Sequence, residues 1–352
     1  NSTLSGNSSS SNYGELYATQ GTITNVTVSN NQNTNSSTVV YLNNSTMTQS
    51  TITGSHNANG YAFDVYQSTV TYCKILSNQG YGVRLNESST LDNCLVANNG
   101  LYGVTISSNS NQPAKVQSCD IVNNGSYGLY GYSGIYGSVV NTIVWGNTRH
   151  VSLPENVILT NCAVTGGYDG IDNVPLDAEN DGTQYHHPKF ENPSTVVGYD
   201  DSGTEWSWQL TEGSVCANRG TDFDIISHTT DLAGNPRIQQ DIIDIGCYES
   251  PYTESEIPSY DDDIVYVVPG GAGNKSGMTW DNAVDDINEA INMALVNNVS
   301  KVWVAPGTYY GDVTGDNAFT LANKANLFGG VAIGTAPDSD LSDRDLVNNP
   351  TI

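Results

Sequence analysis

Three cysteines, Cys73, Cys94 and Cys119, are spaced by 21 and 25 residues, and three Tyr-Gly pairs, Tyr81-Gly82, Tyr102-Gly103 and Tyr127-Gly128, repeat the same two steps. Between each cysteine and its Tyr-Gly pair lie an aliphatic residue (Ile75, Val96, Ile121) and an asparagine (Asn78, Asn99, Asn124). A fourth copy at 140–147 keeps Val144 and Asn147, and weaker copies lie at 21–31 and 158–165, the latter with Cys162. Self-similarity at such a period is the mark of a solenoid, in which no unit buries its apolar face alone. Inside each unit, stretches such as Val83-Arg84-Leu85 and Val104-Thr105-Ile106 alternate with a period of two, which predicts strands. They are bounded by Asn, Gly and Ser, residues suited to tight turns. No segment here has the period or length of a helix, and the Leu scaffold of leucine-rich repeats is missing.

An all-β parallel β-helix is therefore expected, with coils of about 20–25 residues. Stacking coils about 4.8 Å apart puts like residues above one another. Cys73, Cys94 and Cys119, continued by Cys162, are expected to form an inward ladder; Ile75, Val96, Ile121 and Val144 the next; Asn78, Asn99 and Asn124 a ladder of stacked amides at a turn.

Charge divides the chain. Residues 1–150 carry five acids and four bases, whereas 151–352 hold 32 acids and seven bases, so the net charge of −26 belongs almost wholly to the second part. The scarcity of Lys and Arg argues against a nucleic-acid partner, which would require a basic face. No run of apolar residues is long enough for a membrane span.

The coils resemble the right-handed parallel β-helix repeats of pectate-lyase-like proteins. Further along, Phe190, then Trp208-Gln209-Leu210, then Ser214 to Gly220, then Asp231 with Gly234 and Arg237, then Asp244-Ile245-Gly246-Cys247-Tyr248-Glu249 follow in order. This succession resembles the closing segment of large bacterial cell-surface β-helix proteins, with Val215 in place of the usual Pro and Cys247 in place of the usual Ala. The resemblance implies an exported protein of a family mostly without assigned biochemistry. Four regions are expected: coils over 1–165, a closing segment over 166–250, an acidic linker over 251–263, and a last piece over 264–352. In that piece a strand (264–268), an amphipathic helix starting near Thr279 and Asp281, the stretch Lys301-Val302-Trp303-Val304 and Leu327-Phe328 resemble the N-terminal cap and first coil of another β-helix. The chain's C-terminal Asn349-Pro350-Thr351-Ile352 runs, in pattern, into Ser2 to Asn7. Two explanations fit: an excerpt of a tandem protein, or subunits joined head to tail into an open filament.

Several constellations carry candidate chemistry. The Cys73, Cys94 and Cys119 spacing matches no zinc signature, so the plainer reading is a core ladder. Cys216 and Cys247 stand apart and are candidates for a disulfide, which export permits. Tyr81, Tyr102 and Tyr127, with Tyr130 and Tyr132 nearby, offer a platform on which sugar rings of an extracellular polysaccharide stack; the alternative is a packed corner ladder. Asp169, Asp172, Asp177, Asn180 and Asp181 crowd one loop and are candidate Ca2+ ligands, without the EF-hand order. Catalysis finds less support. Lys74, Arg84, Lys115 and Arg149 occupy different places in their repeats. Asp92 and Asp120 flank their cysteines on opposite sides, and the five histidines lack a partner at recognisable spacing. The expectation is a non-enzymatic extracellular structural or adhesin-type module, with a glycan-binding module as the first alternative and a polysaccharide lyase or hydrolase as the second.

Overall fold

The computed structural model of the 352-residue chain describes residues 1–10, 14–33, 38–168, 170–176, 187–199, 206–221, 229–239, 242–252, 262–273, 275–296, 299–309, 326–342 and 344. Two compact units are present, one formed by 1–179 with 186–255 and the other by 180–185 with 256–352.

The first unit contains a parallel β-helix. Its coils supply one strand each to three sheets of nine, seven and seven strands, and every pairing within these sheets is parallel. The first sheet stacks Thr51–Thr53, Lys74–Leu76, Leu95–Ala97, Asp120–Val122 and Ile143–Trp145. The second stacks Tyr61–Tyr66, Tyr81–Asn86, Val104–Ser107 and Tyr127–Gly131, and the third stacks Thr69–Thr71, Thr90–Asp92 and Ala114–Gln117. Register places Ile52, Ile75, Val96, Ile121 and Val144 in one row, as the repeat implied. Phe63, Val83, Val104 and Leu129 form a facing row, and Met47, Val70, Leu91 and Val116 a third. All are buried in one continuous core.

Corners between strands explain the abundance of Asn. Asn25, Asn93, Asn141 and Asn161 hold φ between 47° and 58° where the third sheet hands over to the first. Asparagine accepts this left-handed conformation more readily than most residues.

The expected amide ladder is present and longer than the repeat alone suggested. Asn78, Asn99 and Asn124 each donate from Nδ2 to the Oδ1 of the next coil's asparagine, ending on Asn147, at 2.9–3.0 Å. The same acceptors take the backbone N–H of Asn78, Asn99 and Asn124. Each Nδ2 also bonds a carbonyl of the preceding coil, as Asn99 does with Ile75 O at 3.1 Å. These amides are almost fully buried and fully used. Their bulk explains the glycine of each Tyr-Gly pair: a Cβ on Gly128 would lie 2.6 Å from Asn147 Nδ2, and one on Gly103 2.8 Å from Asn124 Nδ2.

The cysteine ladder also forms. Cys73, Cys94 and Cys119 are buried free thiols. Each hydrogen-bonds the carbonyl two residues before it, at 3.1–3.2 Å. Thr142 takes this place in the next coil, where its Oγ1 receives the Cys119 N–H, and Cys162 follows. Burial raises the Cys94 and Cys162 thiol pKa values, the latter to about 12, which suits inert core positions.

The described stretches 187–199, 206–221, 229–239 and 242–252 lie along the outer face of the first sheet. There the strands lose their alternation: Leu95–Ala97, Asp120–Val122 and Ile143–Trp145 are buried on both faces, whereas Lys74–Leu76 is not. Trp145 meets His187 and Phe190 edge-on at 4.9 and 5.6 Å, and Phe190 meets Trp208 at 5.2 Å. Corner asparagines hold the segment by its backbone. Asn141 exchanges two bonds with Thr221, and Asn93, Asn123 and Asn161 donate to the carbonyls of Thr230, Val196 and Arg219.

The second unit has a parallel three-stranded sheet, Ile264–Val267, Lys301–Val304 and Asn326–Phe328, and a helix, Ile287–Val296. The helix begins later than the sequence suggested. Thr279 precedes a short 3-10 turn, Trp280–Asn282, and Val284 is drawn into a parallel bridge with Val267. The helix is capped instead by Asp286, whose Oδ1 accepts the N–H groups of Asn288 and Glu289 at 2.6 and 3.0 Å.

Replacing Asn99 with Ala strands the partners of four buried hydrogen bonds. The expected loss is about 2–5 kcal/mol, read by chemical denaturation, given about 1–3 kcal/mol for each buried group left unsatisfied.

Candidate functional site

The tyrosines converge on the outer face of the second sheet. Tyr61 and Tyr81 are register partners and stack at 4.8 Å. Tyr81 meets Tyr102 edge-on at 5.0 Å, and Tyr102 meets Tyr127 at 5.7 Å. Tyr130 stacks on Tyr102 at 4.6 Å, and Tyr132 closes the group edge-on to Tyr130 at 5.1 Å. Tyr132 is 57% exposed, and the other five are half-buried, so their rings form one continuous surface open to solvent.

Beside them runs a second outward row, Tyr17, Tyr41, Asp64, Arg84, Thr105 and Tyr130, each opposite the next across adjacent strands. Asp64 and Arg84 form a two-pronged ion pair, through Nε to Oδ1 at 3.0 Å and Nη2 to Oδ2. Asn86 Nδ2 also donates to Asp64 Oδ1 at 2.6 Å. The Arg84 guanidinium lies 4.8 Å from the centre of the Tyr61 ring, and the hydrogen bonds it donates to Asp64 raise its already high pKa. Arg149 caps the Tyr127 ring at 5.4 Å. Tyr61 donates its hydroxyl proton to Thr105 Oγ1 at 3.2 Å, and burial raises the pKa of that phenol. The face thus offers fixed rings, phenol tips and one anchored guanidinium, all on rigid strands. Asp64 is committed to Arg84 and Asn86 and so is a poor nucleophile or base.

Repeat spacing brings Tyr81, Tyr102, Tyr127, Tyr130 and Tyr132 together as the sequence suggested. The Asp64–Arg84 pair was missed, although a signal existed: Asp64, Arg84, Thr105 and Tyr130 each follow a repeat tyrosine by three residues.

Other candidates fare differently. Cys216 and Cys247, the candidate disulfide pair, are free, buried thiols. Cys216 O accepts the N–H of Ile245, two residues before Cys247, and the Cys247 N–H is committed to Asp120 Oδ1 at 3.1 Å. Of the loop acids, Asp172 alone is described, with φ 51°; Asp169, Asp177, Asn180 and Asp181 lie outside the described residues, as does the 349–352 end expected to meet Ser2 to Asn7. Among the described residues, no group of three or more His, Cys, Asp or Glu side chains is arranged to hold a metal ion, and no helix is long and apolar enough to cross a membrane.

A second polar cluster lies where 187–252 meets the coils. Arg237 pairs with Glu249 at 3.0 Å, both nearly inaccessible, and Asp231, Asp244 and Asp120 surround the turn 244–250. Asp120 is enclosed, and burial pushes its carboxyl up to about 7 against weaker opposing pulls from the Cys247 N–H and Arg237. A carboxyl raised in the folded state from 3.8 binds its proton where the unfolded chain has lost it. Its contribution is therefore full below pH ~4 and is lost as pH rises through ~7, on the order of 4 kcal/mol in all. Asp120→Asn is expected to flatten the fall in stability between pH 5 and 8, as read from urea midpoints.

Residues 1–148 match the family model described as right handed beta helix region, which gives the coils their hand. No curated protein matches the chain. The match stops short of half the chain, so the likeness is that of its N-terminal part: a right-handed parallel β-helix.

Proposed function

We propose that the protein is an exported, non-catalytic β-helix module that binds carbohydrate on the tyrosine face of its second sheet. The observation that carries this reading is the unbroken, solvent-facing surface of Tyr61, Tyr81, Tyr102, Tyr127, Tyr130 and Tyr132 beside the anchored Arg84. Aromatic faces pack against the C–H faces of sugar rings, while phenol and guanidinium tips bond their hydroxyls. A surface built on stacked strands presents these groups in repeating order, which suits an extended polysaccharide. The engagement of Asp64 by Arg84 and Asn86 supports binding without turnover.

A glycan array followed by calorimetry tests this. The double variant Tyr81→Ala/Tyr102→Ala is expected to lose at least about tenfold in affinity, some 1.4 kcal/mol, while keeping its circular dichroism. No glycan bound by the wild type, or equal binding by the variant, would sink the proposal, and depolymerisation of a bound polysaccharide would favour the lyase or hydrolase alternative.

The second unit supports a structural role beside binding. A parallel sheet with a helix against one face fits a piece that caps a β-helix, in a tandem array or in another copy, as in a surface fibre or adhesin stalk. Head-to-tail assembly predicts sedimentation coefficients that rise with protein concentration; a single invariant species up to millimolar concentration would remove it.

A further inference from the structure

The second unit also holds a cleft of about 510 Å3, within the range of small-molecule sites. Lys301, Trp303 and Phe328 line its floor, and Asp338, Asp340 and Arg344 are among those that line the rest. Lys301 and Trp303 alternate on one strand, and Trp303 is the register partner of Phe328, so the three share a face of the sheet. The Arg344 guanidinium lies 5.4 Å from the centre of the Phe328 ring.

Its donors lack acceptors. Trp303 is 1% exposed, and its Nε1 has no hydrogen-bond partner among the described residues; the same holds for Arg344 Nε and Nη1, both buried. By contrast, the other tryptophan of the unit, Trp280, donates Nε1 to Thr335 O at 3.0 Å. Leaving a buried donor unpaired costs about 1–3 kcal/mol, and the two residues that carry these three donors both line the cleft. Charge is focused there too. Only four Lys and Arg residues occur between 264 and 352, and two of them line this cleft, while Lys275 is engaged by Asp285. Asp340 Oδ1 is occupied by the Ser342 N–H, which leaves Asp338 on the wall as an acceptor for a hydroxyl.

Independently of the tyrosine face, we propose that this cleft binds a small organic carboxylate with a flat, hydroxyl-bearing body. The carboxylate meets Arg344 and Lys301, for which a guanidinium's fork geometry is suited. The flat body lies against Phe328, above the buried Trp303, and its hydroxyl donates to Asp338.

Calorimetry on the full chain with 4-hydroxybenzoate as probe, and phenol as its uncharged counterpart, provides the test. Saturable 1:1 binding of 4-hydroxybenzoate is expected, with phenol at least about tenfold weaker. Arg344→Gln is expected to weaken 4-hydroxybenzoate by about tenfold or more, whereas Lys275→Ala, away from the cleft, leaves it unchanged. Equal affinity for phenol, undiminished binding by both Arg344→Gln and Lys301→Met, or no saturable binding would each overturn the proposal. Because the tyrosine face is not involved, Tyr81→Ala/Tyr102→Ala should leave this binding intact.

Discussion

The β-helix depends on the buried hydrogen bonds that run along its axis between side-chain amides. Hydrophobic rows hold the coils together and resist a one-residue slip, which would turn them outward. The Asn78–Asn99–Asn124–Asn147 chain does not tolerate such a slip either. Every amide has its donors and its acceptor assigned, and a shift by one residue would bury several unpaired groups at once. Register therefore follows from the interior, and with it the alignment of everything on the outside. The tyrosine face is a consequence: its rings lie within stacking distance because the asparagines beneath are level, and the glycines after Tyr81, Tyr102 and Tyr127 make room for the amides.

Much of this was legible in the sequence because a solenoid repeats its own instructions. Equal steps between cysteines, tyrosines and asparagines are a direct image of coil stacking, and no long-range guess was needed to pair the strands. What escaped was contact between distant parts of the chain. The docking of the described stretches between 187 and 252 on the first sheet left a trace, since Leu95-Val96-Ala97 and Ile143-Val144-Trp145 carry apolar residues where alternation calls for polar ones. That trace says a face is covered without saying by what. The helix start was misplaced for a local reason: Thr279 and Asp281 have the right types for a cap, but Val284 is claimed by the sheet before the helix begins.

The acidity of the second part also reads differently once placed. Asp231, Asp244 and Glu249, joined by Asp120 of the coils, are buried around Arg237, where they receive backbone N–H groups and fix a turn. A share of the chain's carboxylates thus serves as internal acceptors, the role that asparagine oxygens play within the coils.

The amide ladder bears on chemical ageing as well. Asn99 and Asn124 are each followed by glycine, the pairing most prone to deamidation, in which the next backbone nitrogen attacks the side-chain carbonyl. Here both nitrogens are engaged: Gly100 N–H is donated to Asn78 O and Gly125 N–H to Asn99 O, each at 2.8 Å. The coils thus shield their own weakest bonds while folded. Any opening long enough to free those nitrogens would convert an amide into a carboxylate inside the stack, and the coil so marked could not re-form its ladder.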